Sequence, residues 1–196
     1  MILFYTPNSP YARTARIALR EWNLLGAAEE RLAANREADN PVLAFSPVGR
    51  VPTLVHADLV ITEARSVFAY IRNFAGGENA GEVDWKTVAE EGQIAGFLEG
   101  IAFWVRENRR TPESRSDFLL KVEHDRMMRC LSHFDTLAAA GALPVVSEFR
   151  SAALASALQL MDAHQLCPDW KKNKALAAWF EQQRDRPSMR ETEPQL

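Results

Sequence analysis

The feature that most constrains this chain is a change of pattern at a glycine-rich segment, residues 75–81. Before it, short apolar runs alternate with helical patterns; after it, apolar residues recur only at helical spacing. Three glycines in these seven residues leave little to pack against neighbouring elements. The sequence therefore predicts a small mixed sheet covered by helices, followed by an all-helical region.

The part before the glycine-rich segment predicts the order strand, helix, strand, irregular segment, strand, strand, helix. Ser9 is a favourable N-cap, and Pro10 suits the first position of the first helix. Ala57 and Asp58 separate two short β-type runs and predict a tight antiparallel hairpin. The predicted strands cover residues 2–6, 27–32, 51–55 and 59–61, the helices run from Ser9 to near Gly26 and over 63–74, and residues 33–46 are expected to be irregular.

The part after this segment predicts four helices, at residues 84–108, 116–140, 147–164 and 170–184. Gly92, Gly96 and Gly100 lie four residues apart on one side of the first helix. Glycine inside a helix costs stability but lets another backbone come close. Helix packing is the favoured interpretation, and the lining of a cleft or subunit interface is the alternative.

Composition excludes several classes of protein. Of 196 residues, 47% are apolar and 25% are charged, which is typical of a globular protein and excludes a disordered chain. The net charge of −3 gives no basic surface for nucleic acid. No apolar run is long enough for a membrane span, and the N-terminus lacks a secretory pattern. Two cysteines and four scattered histidines predict neither disulfides nor a metal site, so we expect a cytoplasmic protein.

Four segments carry a resemblance to a known family: NSPYAR after the first strand, GRVPTL before the hairpin, ITEARSVFAYI after it, and ALAAWFEQQRDRPSMRETEP near the C-terminus. In this order and at these separations they resemble the soluble glutathione transferases, particularly small bacterial members with a serine at the start of the first helix. The resemblance covers essentially the whole chain. It implies an α/β plus all-α fold, with a thioredoxin-like glutathione-binding domain at 1–75, a linker at 76–83 and an all-helical substrate-binding domain at 84–196.

The resemblance also implies glutathione as co-substrate, bound in the cleft between the two domains, and a homodimer joined through the helices over 63–74 and from 84. Ser9 lies where backbone amides and a helix dipole favour an anion. A hydroxyl donor there lowers the pKa of a thiol from about 8.5 toward neutrality. Ser9 is therefore the candidate thiol-activating residue; the alternatives are a simple helix cap at Ser9, or activation by the phenol of Tyr5. Because Ser9 and Ala12 replace the two cysteines of redox relatives, dithiol exchange is excluded.

Two further parts of the glutathione site follow from the resemblance. The resemblance implies that Val51 presents its backbone to the cysteinyl unit next to a cis bond at Pro52, and that Arg50, or alternatively Arg36, faces the glycyl carboxylate. Glu63 and Ala64 occupy the acid and serine positions that hold the γ-glutamyl end, and Arg65 is available to compensate for the missing hydroxyl. The loss of that hydroxyl predicts weaker binding by about 0.5 to 1.5 kcal/mol. The alternative for Glu63 is a first-turn acid that only stabilises its helix.

The second substrate is expected against Tyr11, Phe103, Trp104 and Arg106. An aromatic wall favours an apolar electrophile and Arg106 an anionic one, whereas core packing is the commoner role of such aromatics. The predicted function is a glutathione S-transferase acting on a small apolar electrophile. The alternatives are a non-catalytic scaffold of the same fold that binds a ligand or a protein, and a glutathione-dependent isomerase or dehalogenase.

Overall fold

The computed structural model describes residues 1–34, 37–76 and 84–195. Its sheet has four strands in the order β2-β1-β3-β4; β1 pairs in parallel with β2 and antiparallel with β3, and β3 pairs antiparallel with β4. The turn of the predicted hairpin contains Ala57 at a φ of 54°. The strands are β1 (Ile2–Tyr5), β2 (Glu29–Leu32), β3 (Thr53–His56) and β4 (Leu59–Thr62).

Two helices, α1 (Pro10–Glu21) and α2 (Ala64–Phe74), pack with the sheet. Leu3 and Leu54 from the strands join these helices in the main apolar core. Phe4, the next residue of β1, belongs to a second cluster with Ala12, Val42 and Val51, because successive side chains of a strand point to opposite faces. The irregular segment contains one short 3-10 helix, Pro41–Ala44.

The rest of the described chain is helical, with no strand among residues 84–195. The helices are α3 (Trp85–Asn108), α4 (Asp117–Ala139), α5 (Phe149–Ala163), α6 (Lys174–Arg184) and α7 (Pro187–Arg190). Helix α5 is almost entirely buried and packs against both α1 and α3. The fold class, α/β followed by all-α, is as predicted. The proposed linker at 76–83 lies outside the described residues except for Gly76.

Three helix boundaries differ from the prediction by more than one residue. Helix α1, expected to end near Gly26, ends at Glu21. The helix expected from residue 170 begins at Lys174, because Trp170–Lys172 forms a separate 3-10 helix that the Trp170 indole fastens to Asp162. Helix α5 begins without a side-chain cap. Arg150, three residues after Ser147, donates instead to Glu90 of α3 and to Glu148. Arg150 therefore connects the start of α5 to α3.

The glycines of α3 differ in their surroundings. A Cβ atom at Gly100 would lie 2.7 Å from Glu123 Oε2 and from Met127 Cε, so α4 closely approaches α3 there. A Cβ at Gly92 or Gly96 would meet nothing within 4 Å. The packing interpretation therefore holds at Gly100 but not at Gly92 or Gly96. Within the described residues, no helix is both long and apolar enough to cross a membrane.

The C-terminal segment returns to the first helix of the sheet region. Arg186 donates to the carboxylate of Glu21, at 3.0 Å from Nε, and the Ser188 hydroxyl donates to the same carboxylate. Farther along α1, the Arg13 guanidinium donates to the Met189 carbonyl and to Thr192 Oγ1. The last described residues thereby connect the helical region to α1.

Candidate active site

Ser9 ends the turn after β1 and caps α1. Its Oγ accepts a hydrogen bond from the backbone N–H of Ala12 at 3.1 Å, and its own N–H donates to the Thr6 carbonyl at 3.1 Å. A hydroxyl has one donor proton and two acceptor lone pairs, so the cap bond occupies only an acceptor site. The capping role and the thiol-activating role of Ser9 are therefore compatible.

Tyr5, the predicted rival of Ser9, lies at the end of β1. The Arg16 guanidinium stacks over its ring at 4.2 Å, and Arg16 in turn pairs with Glu30 of β2 at 2.8 Å. This cation–π contact gives the Tyr5 ring a packing role between α1 and the sheet.

The loop that carries Arg50, Val51 and Pro52 is held by two polar side chains. The Val51–Pro52 peptide bond is cis, as the family resemblance implied, and Val51 is buried. The Asn40 amide donates to the Gly49 carbonyl at 2.9 Å, and the Thr53 hydroxyl donates to the Arg50 carbonyl at 2.7 Å. Asn40 and Thr53 were not predicted as site residues, because the burial that marks both of them is seen only in the structure.

Glu63 adopts a φ of 76° and caps α2 with its carboxylate. Its oxygens accept the backbone N–H groups of Arg65 at 3.1 Å and Ser66 at 3.2 Å. Ala64 is only 3% exposed. Arg65 pairs with Glu91 of α3 at 2.5 Å, so its guanidinium is already engaged in joining α2 to α3. The structure thus shows the helix-stabilising role of Glu63 directly. Arg36 lies outside the described residues.

Three of the residues expected at the second-substrate site lie on α3, and they divide between two sides of that helix. Phe103 is 36% exposed, and Arg106 lies three residues further on the same solvent-facing side. Trp104 is 7% exposed and packs edge-on against His124 of α4, with ring centroids 5.9 Å apart. This contact with α4 favours the core-packing alternative for Trp104.

Tyr11 lies on α1 close to charged groups from two other elements. Burial raises the pKa of its phenol, Arg106 and Arg50 oppose that shift, and Glu99 adds to it. The charges of Arg50, on the loop, and of Arg106, on α3, therefore both act on the Tyr11 phenol.

Arg13 of α1 was not predicted as part of the site. It is 2% exposed and donates to Gln159 Oε1 at 2.6 Å, in addition to its bonds with Met189 and Thr192. Its side chain lines the same space as Ser9 and Pro10. An arginine among the apolar positions of α1 is the one sequence signal that marks it. Across the described ranges, no group of three or more His, Cys, Asp or Glu side chains is arranged to hold a metal ion.

Comparison with known proteins supplies the family context. Residues 3–79 match the family described as glutathione S-transferase, N-terminal domain. No curated protein sequence matches the chain. Three solved structures share its fold at 20–22% identity. A glutathione transferase family member from Pseudomonas fluorescens Pf-5, with bound glutathione, has a TM-score of 0.86 and 22% identity, over 100% of this chain and 99% of that one.

The other two structures extend the match beyond one bacterial genus. A glutathione S-transferase from Methylobacillus flagellatus, also with glutathione bound, has a TM-score of 0.85 and 20% identity, over 99% of both chains. Gtt2 from Saccharomyces cerevisiae has a TM-score of 0.80 and 20% identity, over 98% of this chain and 100% of that one. Residues 3–79 are thus similar to the N-terminal domain of glutathione S-transferases, and the chain shares its fold over its whole length with solved structures of glutathione transferases.

Proposed function

We propose that the chain is a glutathione S-transferase in which the Ser9 hydroxyl donates a hydrogen bond to the glutathione thiolate. The observation that carries this proposal is the geometry of Ser9: its Oγ accepts from Ala12 at the N-terminus of α1, which leaves the hydroxyl proton for a ligand. The helix N-terminus adds a favourable field for an anion. The thiolate then attacks the electrophile, and the leaving group departs with the electron pair of the broken bond.

The remaining contacts of the proposal follow the predicted site. The Val51 backbone pairs with the cysteinyl unit beside Pro52, Arg50 faces the glycyl carboxylate, and Glu63 and the Ala64 amide receive the γ-glutamyl end. Two structures of the same fold were determined with glutathione bound, which supports glutathione as co-substrate. The electrophile, which is apolar over most of its surface, is expected against the predicted residues Tyr11, Phe103, Trp104 and Arg106.

The test of this function begins with calorimetric titration of glutathione, followed by turnover with a panel of electrophiles. Ser9→Ala is expected to keep glutathione binding while turnover falls by about 10- to 1000-fold, because one donor to a developing charge is removed. Tyr5→Phe is the matched control, since it removes a hydroxyl at the rival position, and it is expected to keep wild-type turnover. Unchanged turnover in Ser9→Ala would remove Ser9 from the role. A glutathione-dependent isomerase or dehalogenase would use the same thiolate. Identifying the products formed from each electrophile of the panel distinguishes these activities from a transferase.

The second candidate function is a non-catalytic scaffold of the same fold. It is favoured by one observation: the Glu63 carboxylate already accepts two backbone N–H groups of α2, and Ala64 offers no hydroxyl. Absence of binding heat at millimolar glutathione would support it over the transferase.

We further propose a cytoplasmic homodimer, divided at residues 76–83 into the two predicted domains. The free thiols of Cys130 and Cys167 support a reducing compartment. Exposed apolar side chains support an interface through α2 and the start of α3: Phe74 is 45% exposed and Trp85 is 74% exposed. Light scattering at micromolar concentration is expected to give twice the chain mass, and a monomer mass would contradict the proposal.

A further inference from the structure

Arg13 is a buried cation directly behind the turn that carries Ser9. Its backbone N–H donates to the Ser9 carbonyl at 3.0 Å, so the two residues are one helical turn apart and their side chains share a face of α1. Both line a small space together with Ser156 and Leu160 of α5. That space has no volume open to a water molecule. Arg13 therefore lines the same space as Ser9, and its side chain is shielded from solvent.

The charge of Arg13 is not neutralised locally. Its hydrogen-bond partners are neutral: the Gln159 amide oxygen, the Met189 carbonyl and the Thr192 hydroxyl. No carboxylate in the described part of the chain forms an ion pair with it, and its Nη1 and the neighbouring Ser156 hydroxyl have no partner among the described residues.

The carboxylate of Glu193 is linked to Arg13 only through the side-chain amide of Gln159. Glu193 accepts from Gln159 Nε2 at 3.2 Å, so the Gln159 amide stands between Glu193 and Arg13. Burial lowers the pKa of Arg13 to about 10, while Glu193 opposes that shift and Arg16 adds to it. The side chain therefore remains charged at neutral pH. Burying an unpaired cation lowers the stability of the fold. Buried groups of this kind are often found at functional sites.

We propose that Arg13 is a positioning residue that stabilises the anion held at Ser9, through the field of its unneutralised charge. This inference rests on the proposed function for its ligand, but the field itself acts on any anion at the Ser9 turn. Because interior charges are screened less than surface charges, a guanidinium behind the helix N-terminus adds to the field of that terminus. The other arginines on α1 differ: Arg16 and Arg20 are both paired with Glu30.

The first test uses a thiol built into the chain. Ser9→Cys places a thiol at the turn, and its pKa is read from thiolate absorbance after subtracting the Ser9 parent, which carries Cys130 and Cys167. In this background, the double change Q159E/E193Q moves one negative charge next to Arg13 without altering the net charge. It is expected to raise the pKa of the introduced thiol by about 0.5 to 1 unit. Arg13→Gln is expected to do the same.

The controls separate an electrostatic role from a merely structural one. Arg20→Gln removes a paired cation from the same helix and is expected to leave the thiol pKa unchanged. Q159E/E193Q adds an ion pair to Arg13, so the double variant remains informative even where Arg13→Gln fails to fold. A folded double variant with an unchanged thiol pKa overturns the proposal.

The second test repeats the measurement on glutathione bound to the Ser9 protein, with and without Q159E/E193Q. A raised pKa of the bound thiol, with glutathione affinity at pH 5.5 unchanged, supports both the function and the role of Arg13; about three- to tenfold less thiolate is then expected at neutral pH. A response of the introduced thiol without any glutathione binding overturns the proposed function and leaves the Arg13 inference standing.

Discussion

The side-chain amide of Asn40 donates a hydrogen bond to the backbone carbonyl of Gly49, 2.9 Å away and nine residues along the chain. The same side chain accepts the Val42 N–H at 3.1 Å and so caps the 3-10 helix. Asn40 is 5% exposed. It therefore fixes the start of the loop that leads to Val51 and the predicted contacts with glutathione.

Asn40→Ala is expected to lower the free energy of unfolding by about 1 to 3 kcal/mol, because the buried Val42 N–H and the half-buried Gly49 carbonyl lose their partner. Glutathione affinity is expected to fall as well. Asn40→Asp is the matched control: it keeps the acceptor for Val42 but loses the donor to Gly49. Urea unfolding and calorimetry check both effects. If Asn40→Asp binds glutathione as the wild type does, the Gly49 bond has no part in shaping the site.

Ala64→Ser restores the hydroxyl that the family carries after its acid. We expect glutathione to bind about two- to tenfold more tightly, as one added hydrogen bond allows. Ala69→Ser, on an exposed position of α2, serves as the control for the helix-propensity cost of serine. Titration calorimetry measures the affinities. Equal affinity of the Ala64→Ser protein and the wild type would place the γ-glutamyl carboxylate elsewhere.

Glu63→Ala removes the cap of α2 and is expected to cost about 0.5 to 2 kcal/mol of stability. Glu63→Gln keeps an acceptor oxygen for the Arg65 and Ser66 N–H groups, so its stability is expected to stay closer to that of the wild type. If the charge also holds the glutathione ammonium group, Glu63→Gln loses affinity while remaining folded. Denaturant unfolding and calorimetry on the two variants separate the capping role from the binding role.

The Glu21–Arg186 contact predicts a pH dependence of stability. Burial raises the pKa of Glu21, but the hydrogen bonds from Arg186 and Ser188 outweigh it and hold the pKa below its ordinary value of 4.5. A carboxyl with a lowered folded-state pKa contributes stability above its unfolded pKa, and this contribution disappears as the pH falls through the folded value. The difference in unfolding free energy between wild type and Glu21→Gln is therefore expected to be largest above pH 5 and to shrink below 4.5.

Urea unfolding of both proteins between pH 3 and pH 7 measures this difference. The comparison isolates Glu21 from other carboxyls whose pKa is lowered, such as Glu30, because those are common to both proteins. A difference that stays constant over the whole range would mean that Glu21 does not titrate with the fold.

The features that could be predicted from the sequence are those set by residues adjacent in the chain. Ser9 and Pro10 mark the start of α1 because cap preferences are local, and Ala57 and Asp58 mark the hairpin for the same reason. The packing partner of Trp104, in contrast, could not be predicted from local sequence. Helical spacing identifies Trp104 as apolar but does not tell which neighbour covers it, and α4 does so in the structure.

Arg13 was missed for a related reason. Its partners Gln159 and Thr192 lie 146 and 179 residues away in sequence, so no local pattern connects them. Glu63 is an intermediate case, since its two possible roles were both visible in the sequence and only the structure shows the capping bonds.

The attachment of the C-terminal segment to α1 has a consequence for the synthesis of the protein. Domains form from the N-terminus as the chain emerges from the ribosome. The sheet and α1 are complete early, but Arg13 and Glu21 acquire Met189, Thr192 and Arg186 only when the final helix has been translated. Until that segment has been translated, Arg13 lacks its partners at Met189 and Thr192, so the packing behind the Ser9 turn is completed only at the end of synthesis.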